Sequence, residues 1–275
     1  PQRVGWFATQ PTSTATVRLF SQGEFWMSKK ILITGAGTGF GKGAAVELAK
    51  RGHQVIAATH SQEQADALAA EHPGLTTMKL DVTNDDDVQA AAGLGIDVLI
   101  NNAGIGVAGP LSTMPMAEIR RAFDVNVFGM VALSQVVIPG MKARGSGRII
   151  NVSSVVGVWA APLSAPYSMT KHAVEAFTKS LRGELAPHGI DVTKVNPGPY
   201  NTGFNDRMLN KIPNYIEASD TSSHDIHGQV AAVVLADQFD PTEVCMKLAD
   251  LAEADETPEE VFLPDGILDA MQAAV

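Results

Sequence analysis

The stretch ITGAGTGFGKG, Ile33 to Gly43, decides how the rest of this chain is read. A short apolar run from Lys30 leads into it. A helical pattern with Ala45, Leu48 and Ala49 on one side leads away. Glycines let the backbone turn tightly and approach a pyrophosphate, whose charge then sits at the helix N-terminus. The candidate cofactor residues here are Gly35, Gly37, Thr38, Gly39, Phe40 and Gly41. Their spacing is T-G-x-x-x-G-x-G, not G-x-G-x-x-G. A plain strand-to-helix turn can look the same, so the surroundings must decide. No G-x-x-x-x-G-K-[ST] loop is present, which disfavours an ATPase or GTPase.

Beyond the turn, strand and helix alternate. HQVIAAT, LTTMKLDV, IDVLINNAG, GRIINVSS, IDVTKVNPG and EEVFLP read as further strands. Helical patterns lie between them, including a long one from Met116 to Ala143. The pattern predicts an α/β fold: one Rossmann-type, doubly wound parallel sheet with helices on both faces. Residues 27–275 read as a single domain. The segment from Pro197 to about Gly228 is irregular in pattern and follows a strand's carboxyl end, so it is expected to be a lid-like substrate loop. DPTEVCMKLADLAEA is expected to open with Asp240 as N-cap, Pro241 at the first helical position and Glu243 closing a capping box.

The bulk numbers narrow the function. A 275-residue chain that is 45% hydrophobic can bury a substantial core. Its net charge of −10 argues against nucleic acid and against an anionic membrane surface. No apolar run reads as long enough for a bilayer. Cys245 is the one cysteine, so no intrachain disulfide forms, which fits a reducing cytoplasm. It lies beside a Val244, Leu248, Leu251 stripe and reads as buried and structural. The histidines show no strong metal spacing, so no metal is expected. Residues 1–26 lack periodicity and are expected to be a non-native or disordered extension ahead of Met27. A mitochondrial targeting peptide is the rival, with a poor apolar face.

Cofactor choice turns on the end of the second strand. An Asp or Glu there usually holds a free ribose 2′-hydroxyl. This chain has Thr59, His60 and Ser61 instead. No carboxylate repels a 2′-phosphate, so NADP(H) is favoured over NAD(H). No Arg or Lys stands among the three, though Lys42 lies just past the glycine turn.

YSMTK places Tyr167 and Lys171 one helical turn apart. Such a pair is common on helix surfaces. Beside a nucleotide site it becomes a general acid/base with a cation that lowers its pKa.

These residues carry a family resemblance. The chain resembles the single-domain short-chain dehydrogenases/reductases over nearly all of residues 28–275. The match runs through Thr34-Gly35-x-x-x-Gly39-x-Gly41, LDV at Leu80 to Val82, NNAG at Asn101 to Gly104 and Asn126 in DVNVFG. It continues through Ser154, Tyr167-x-x-x-Lys171 and NPGP at Asn196 to Pro199. Resemblance implies a nicotinamide cofactor and a catalytic set of Asn126, Ser154, Tyr167 and Lys171. It implies that Asp81 and Val82 flank the adenine, and that Asn102, Ala103 and Gly104 line the cofactor. Pro197 and Gly198 would sit by the nicotinamide, with Thr202 near its carboxamide or the phosphates. Asn126 would hold a water in a proton relay through Lys171; a buried amide satisfying backbone groups is the alternative. Homodimers or homotetramers are implied as well. One departure is a short stretch between Asp81 and Asn101, which trims a crossover helix.

The expected chemistry is interconversion of a secondary alcohol and a carbonyl in a small molecule. Ser154 would polarise the oxygen. Its neighbour Ser153 would face the other way. Val155, Trp159, Leu163, Tyr200, Phe204 and Met208 suggest an apolar substrate pocket around Ser154. An NAD-linked alcohol dehydrogenase of the same fold, or a non-catalytic nucleotide-binding sensor, are the alternatives.

Overall fold

Alternating side chains organise the first strand. Ile31 and Ile33 enter one core cluster and Leu32 the other, as a period of two requires. The computed structural model describes residues 28–236 and 238–273; the expectation for residues 1–26 lies outside them. The strands are β1 (Lys30–Ile33), β2 (Gln54–Thr59), β3 (Thr76–Lys79), β4 (Val98–Asn101), β5 (Gly147–Val152), β6 (Ile190–Pro197) and β7 (Glu260–Leu263). They form one parallel sheet in the order β3-β2-β1-β4-β5-β6-β7. The chain winds one way from β1 to β3 and the other way from β4 to β7. The crevice between β1 and β4 is therefore the switch point where open α/β sheets bind ligands.

The helices are α1 (Gly39–Lys50), α2 (Gln62–Glu71), α3 (Asp85–Gln89), α4 (Met116–Phe123), α5 (Gly129–Arg144), α6 (Ala165–Leu185), α7 (Phe204–Leu209), α8 (Thr221–Ala236), α9 (Thr242–Glu253) and α10 (Ile267–Ala273). Ala44, Leu48, Val244 and Leu248 seat α1 and α9 on one face of the sheet. Val88, Leu133, Val137 and Leu181 seat α3, α5 and α6 on the other. Both faces are covered, which is what an all-parallel sheet needs. The trimmed crossover is the five-residue α3. Buried Arg148 of β5 donates to the carbonyls of Leu251 (2.7 Å) and Asp255 (3.1 Å), fixing the end of α9.

Four sequence expectations need correction. The segment 197–228 is not an irregular loop. It holds α7, a 3-10 turn at Ile212–Tyr215 and the start of α8. Asp240 is not the N-cap: that place is taken by Pro241, one residue on, although the Asp240 carboxylate still accepts the Thr242 amide at 2.8 Å. Glu243 closes no capping box, because its carboxylate accepts the Tyr200 hydroxyl at 2.6 Å. Finally, α4 and α5 are joined by a π-helical turn, Asp124–Phe128. The resulting 29-residue segment Met116–Arg144 is long and apolar enough, by length and composition alone, to cross a bilayer. Here its Leu133, Val137 and Met141 are buried against the sheet.

Candidate active site

The glycine turn is stitched to the end of β4. The amides of Asn102 and Ala103 both donate to Thr34 Oγ1 at 3.0 Å. Asn102 Nδ2 donates to the carbonyls of Thr34 (2.9 Å) and Gly35 (3.2 Å). Gly35 has φ of +65°, and a Cβ there would lie 2.8 Å from Ala103 Cα. Only glycine fits that approach. Thr38, the N-cap of α1, makes no side-chain cap bond, and the first turn carries no acidic residue. The amides of a twelve-residue helix thus face the crevice without a carboxylate competitor, a setting suited to a pyrophosphate. Gly41 does not line the cavity. A Cβ there would fall 2.6 Å from the Gly35 carbonyl, so this glycine serves helix packing, not cofactor contact.

One cavity of about 1320 Å³ runs over the carboxyl ends of the strands. Gly35, Gly37, Thr38, Gly39, Phe40 and His60 line one side of it. Asp81, Val82, Asn102, Ala103 and Gly104 border the switch point, and Pro197, Gly198 and Thr202 close over it. A Cβ on Gly39 would come within 3.3 Å of Thr202. The residues at the end of β2 are otherwise engaged. Thr59 is buried and its hydroxyl donates to the Ser61 carbonyl at 2.9 Å. Ser61 caps α2 by accepting the Gln64 amide at 3.2 Å. Neither lines the cavity. Gln64 does line it, and bonds His60 Nδ1 at 3.0 Å. Lys42 is held by Glu71 at 2.6 Å.

Ser154 follows β5, and Tyr167 and Lys171 lie on the first turns of α6. All three line the same cavity. Ser154 Oγ donates to the Pro197 carbonyl at 3.4 Å and accepts the Val156 amide at 3.3 Å. Lys171 Nζ donates to the Val152 carbonyl at 2.8 Å and lies 5.6 Å from the Tyr167 ring centroid. This geometry corrects one expectation. Burial pushes the Tyr167 hydroxyl above its ordinary pKa, with the neighbouring Ser154 hydroxyl opposing. The ammonium is anchored on Val152, so its pull does not outweigh the loss of solvent. Lys171 is itself lowered to about 8 by burial, with Glu175 working against the fall.

Asn126 sits in the π-helical turn and is buried. Its Oδ1 accepts the Ile105 amide at 2.8 Å, and its Nδ2 donates to Ile105 O (2.9 Å) and Thr170 Oγ1 (3.0 Å). It does not line the cavity, and its amide is spent on fixing the chain after β4. That is the buried-amide alternative.

Glu175 is the residue the sequence did not single out. It lies one turn beyond Lys171, with Ser153 Oγ donating a short bond to its Oε1. Asn196 Nδ2 donates to the same oxygen at 2.6 Å and to the Ser154 carbonyl at 3.1 Å. Its Oε2 meets buried Lys194 at 3.0 Å, and Lys194 meets Glu260 of β7 at 3.0 Å. One carboxylate therefore ties together the ends of β5, β6 and β7 beneath Ser154. Its spacing from Lys171, i to i+4, was the available signal.

The expected pocket residues Val155, Trp159, Leu163, Phe204 and Met208 line the cavity beyond Ser154. The Phe204 ring lies 5.6 Å from that of Tyr167. Tyr200 borders the cavity but belongs to the core, being 1% exposed with its hydroxyl held by Glu243. Cys245 is buried against Gly43, and burial pushes its thiol up to about 11. Among the described residues no three His, Cys, Asp or Glu side chains group as a metal site.

Comparison with known proteins agrees with this architecture. The short chain dehydrogenase family model matches residues 29–212. An uncharacterized oxidoreductase, YusZ of Bacillus subtilis, is 36% identical over 82% of this chain and 85% of its own length. Human retinol dehydrogenase 8 is 37% identical over 67% of this chain and 63% of its own length. A short-chain dehydrogenase structure from Streptomyces avermitilis superposes with a TM-score of 0.76 and 28% identity, covering 90% of this chain and 95% of that one. The structure of an actinorhodin polyketide ketoreductase with NADPH gives 0.73 and 29%, covering 88% and 98%.

Proposed function

Since this chain belongs to the short-chain dehydrogenase family, we propose that it is an NADP(H)-dependent oxidoreductase interconverting a secondary alcohol and a carbonyl, with Tyr167 as general acid/base. The family makes it an enzyme acting on CH–OH groups with NAD(P). What carries the finer reading is the convergence of Ser154, Tyr167 and Lys171 in one cavity with an uncapped glycine turn. When bound, the cofactor supplies or accepts the hydride. In reduction, Ser154 orients the carbonyl oxygen and Tyr167 gives it a proton. The phenolate left behind is offset by the Lys171 ammonium. Burial keeps Tyr167 protonated until that moment, which suits an acid in the reductive direction.

The preference for NADP(H) is supported by the absence of a carboxylate at the end of β2 and by His60 and Gln64 facing the cavity. The NADPH-bound structural neighbour points the same way. A second reading, an NAD-linked enzyme, is favoured by the engagement of Lys42 with Glu71. The lone buried Cys245 supports a reducing cytoplasm. Exposed Met116 and Phe128, along α4 and the π-helical turn, support a homodimer or homotetramer. Fluorescence titration with NADPH and NADH, followed by a carbonyl panel, tests the proposal. Tighter NADH binding would overturn the cofactor preference.

A further inference from the structure

The cavity, about 1320 Å³ in all, does not end at its nucleotide half. It continues beyond Ser154 into a second lobe lined by residues of α7 and α8. On α8, Ile226, Gln229, Val230, Val233 and Val234 all line that lobe. They stand at i, i+3, i+4, i+7 and i+8, one helical face that is apolar but for the uncharged Gln229. The stripe runs about 12 Å along the helix axis.

The protein covers this stripe incompletely. No residue of α8 is buried, and Val233 is 73% exposed although it borders the cavity. A helix whose apolar face has too little protein against it has room for an apolar occupant. Leu163 and Met208, together with Val230 and Val234 of the stripe, pack against the Ala108, Leu209 and Ile212 cluster, which leaves Ile226 and Val233 outside it. Leu163 has φ of +64°, a left-handed conformation that strains a leucine. Its carbonyl accepts the Gly109 amide at 2.7 Å, which holds it there. Strain at that point places an apolar side chain just before the helix that carries Tyr167. Two arginines of this region line the cavity, Arg121 and Arg207 of α7. Both are exposed, and Arg121 lies 3.8 Å from Glu118. The α8 stripe itself carries no charged residue.

We infer that the substrate, on the catalytic function proposed above, carries a neutral, unbranched hydrocarbon tail that lies along the α8 stripe while its oxygen meets Ser154 and Tyr167. The stripe is linear, so a chain fits it better than a fused ring system. The tail would cover Val233 and complete the lobe.

Two measurements on the full chain decide it. The first is kcat/KM for 2-alkanones from 2-butanone to 2-dodecanone, with the preferred reduced cofactor. The second is calorimetric binding of the same ketones to the complex with the oxidised cofactor, which cannot reduce them. Both are expected to improve about two- to fourfold per methylene until the tail outruns the stripe. Val233→Asn, at an exposed position that folding does not need, is expected to flatten both series. Binding that strengthens with length but no turnover upholds the tail site and removes the catalytic function. Turnover without a length effect removes the tail site and leaves catalysis. Higher kcat/KM for a polycyclic ketone, or a slope unchanged in Val233→Asn, overturns the inference, as does no binding of any ketone.

Discussion

Glu175→Gln should move the alkaline limb of activity without dismantling the site. The variant keeps the shape of the side chain and an oxygen for Ser153 and Asn196, but loses the charge one turn from Lys171. Side chains at i and i+4 lie about 6 Å apart. At an effective dielectric of about 20, unit charges at that distance interact by about 2.8 kcal/mol. Lys194, 3.0 Å from the same carboxylate, neutralises part of the field. Taking half leaves about 1.4 kcal/mol, or about one pKa unit. Lys171 stands near 8 in the native protein, so it should fall to about 7 in the variant. The protonated fraction at pH 7.5 then drops from about 76% to about 24%, while at pH 6 it stays above about 90%. Reductive kcat/KM is expected to fall about threefold at pH 7.5 and hardly at all at pH 6. Initial rates from pH 5.5 to 9.5 would show it. A limb that stays near pH 8, or a loss equal at every pH, refutes electrostatic support from Glu175 and leaves it a packing residue.

Other perturbations follow from the same geometry. Tyr167→Phe removes the acid, and should cost about 10²–10⁴ in kcat with NADPH titration unchanged; turnover within tenfold of native contradicts the assignment. Lys171→Met probes linkage. The folded pKa of about 8 lies below the ordinary lysine value of 10.5, so the unfolded chain binds more protons between those values and native stability rises with pH there. Native minus variant unfolding free energy should climb by about 3 kcal/mol from pH 8 to 10.5, as read by denaturant titration; a flat difference contradicts the depressed lysine. Gly35→Ala drives a Cβ to 2.8 Å from Ala103 Cα at a φ of +65°. It should cost about 1–3 kcal/mol and abolish cofactor binding, and an unchanged melting temperature with native NADPH affinity would refute the close approach.

What the chain revealed in advance depended on how local each signal is. Ile31, Leu32 and Ile33 declare a strand by alternation, and the glycines of the following turn declare their purpose by spacing. Helix α8 stayed hidden because VAAVVLA is apolar on every side and Gly228 interrupts it, so no period stands out. The engagement of Thr59 and Ser61 was hidden for a different reason. Both are polar at the right position, and only the local turn shows their hydroxyls already spent. Burial decides the acidity of Tyr167, and burial is a property of the packed sheet, not of YSMTK. Glu175 has its own helix neighbour in the sequence, but its other partners come from the end of β5 and from β6.

The tie from Glu175 through Lys194 to Glu260 bears on how such chains exchange parts. The family match ends at residue 212, as though the remainder were a variable attachment. Yet the serine's supporting carboxylate shares a buried lysine with β7, 85 residues farther along than itself. A chimera that grafted a relative's C-terminal segment onto this catalytic half would leave Lys194 to Glu175 alone unless an acidic residue arrived at the position of Glu260. Swapping specificity between relatives is therefore constrained by a side chain that never meets the substrate.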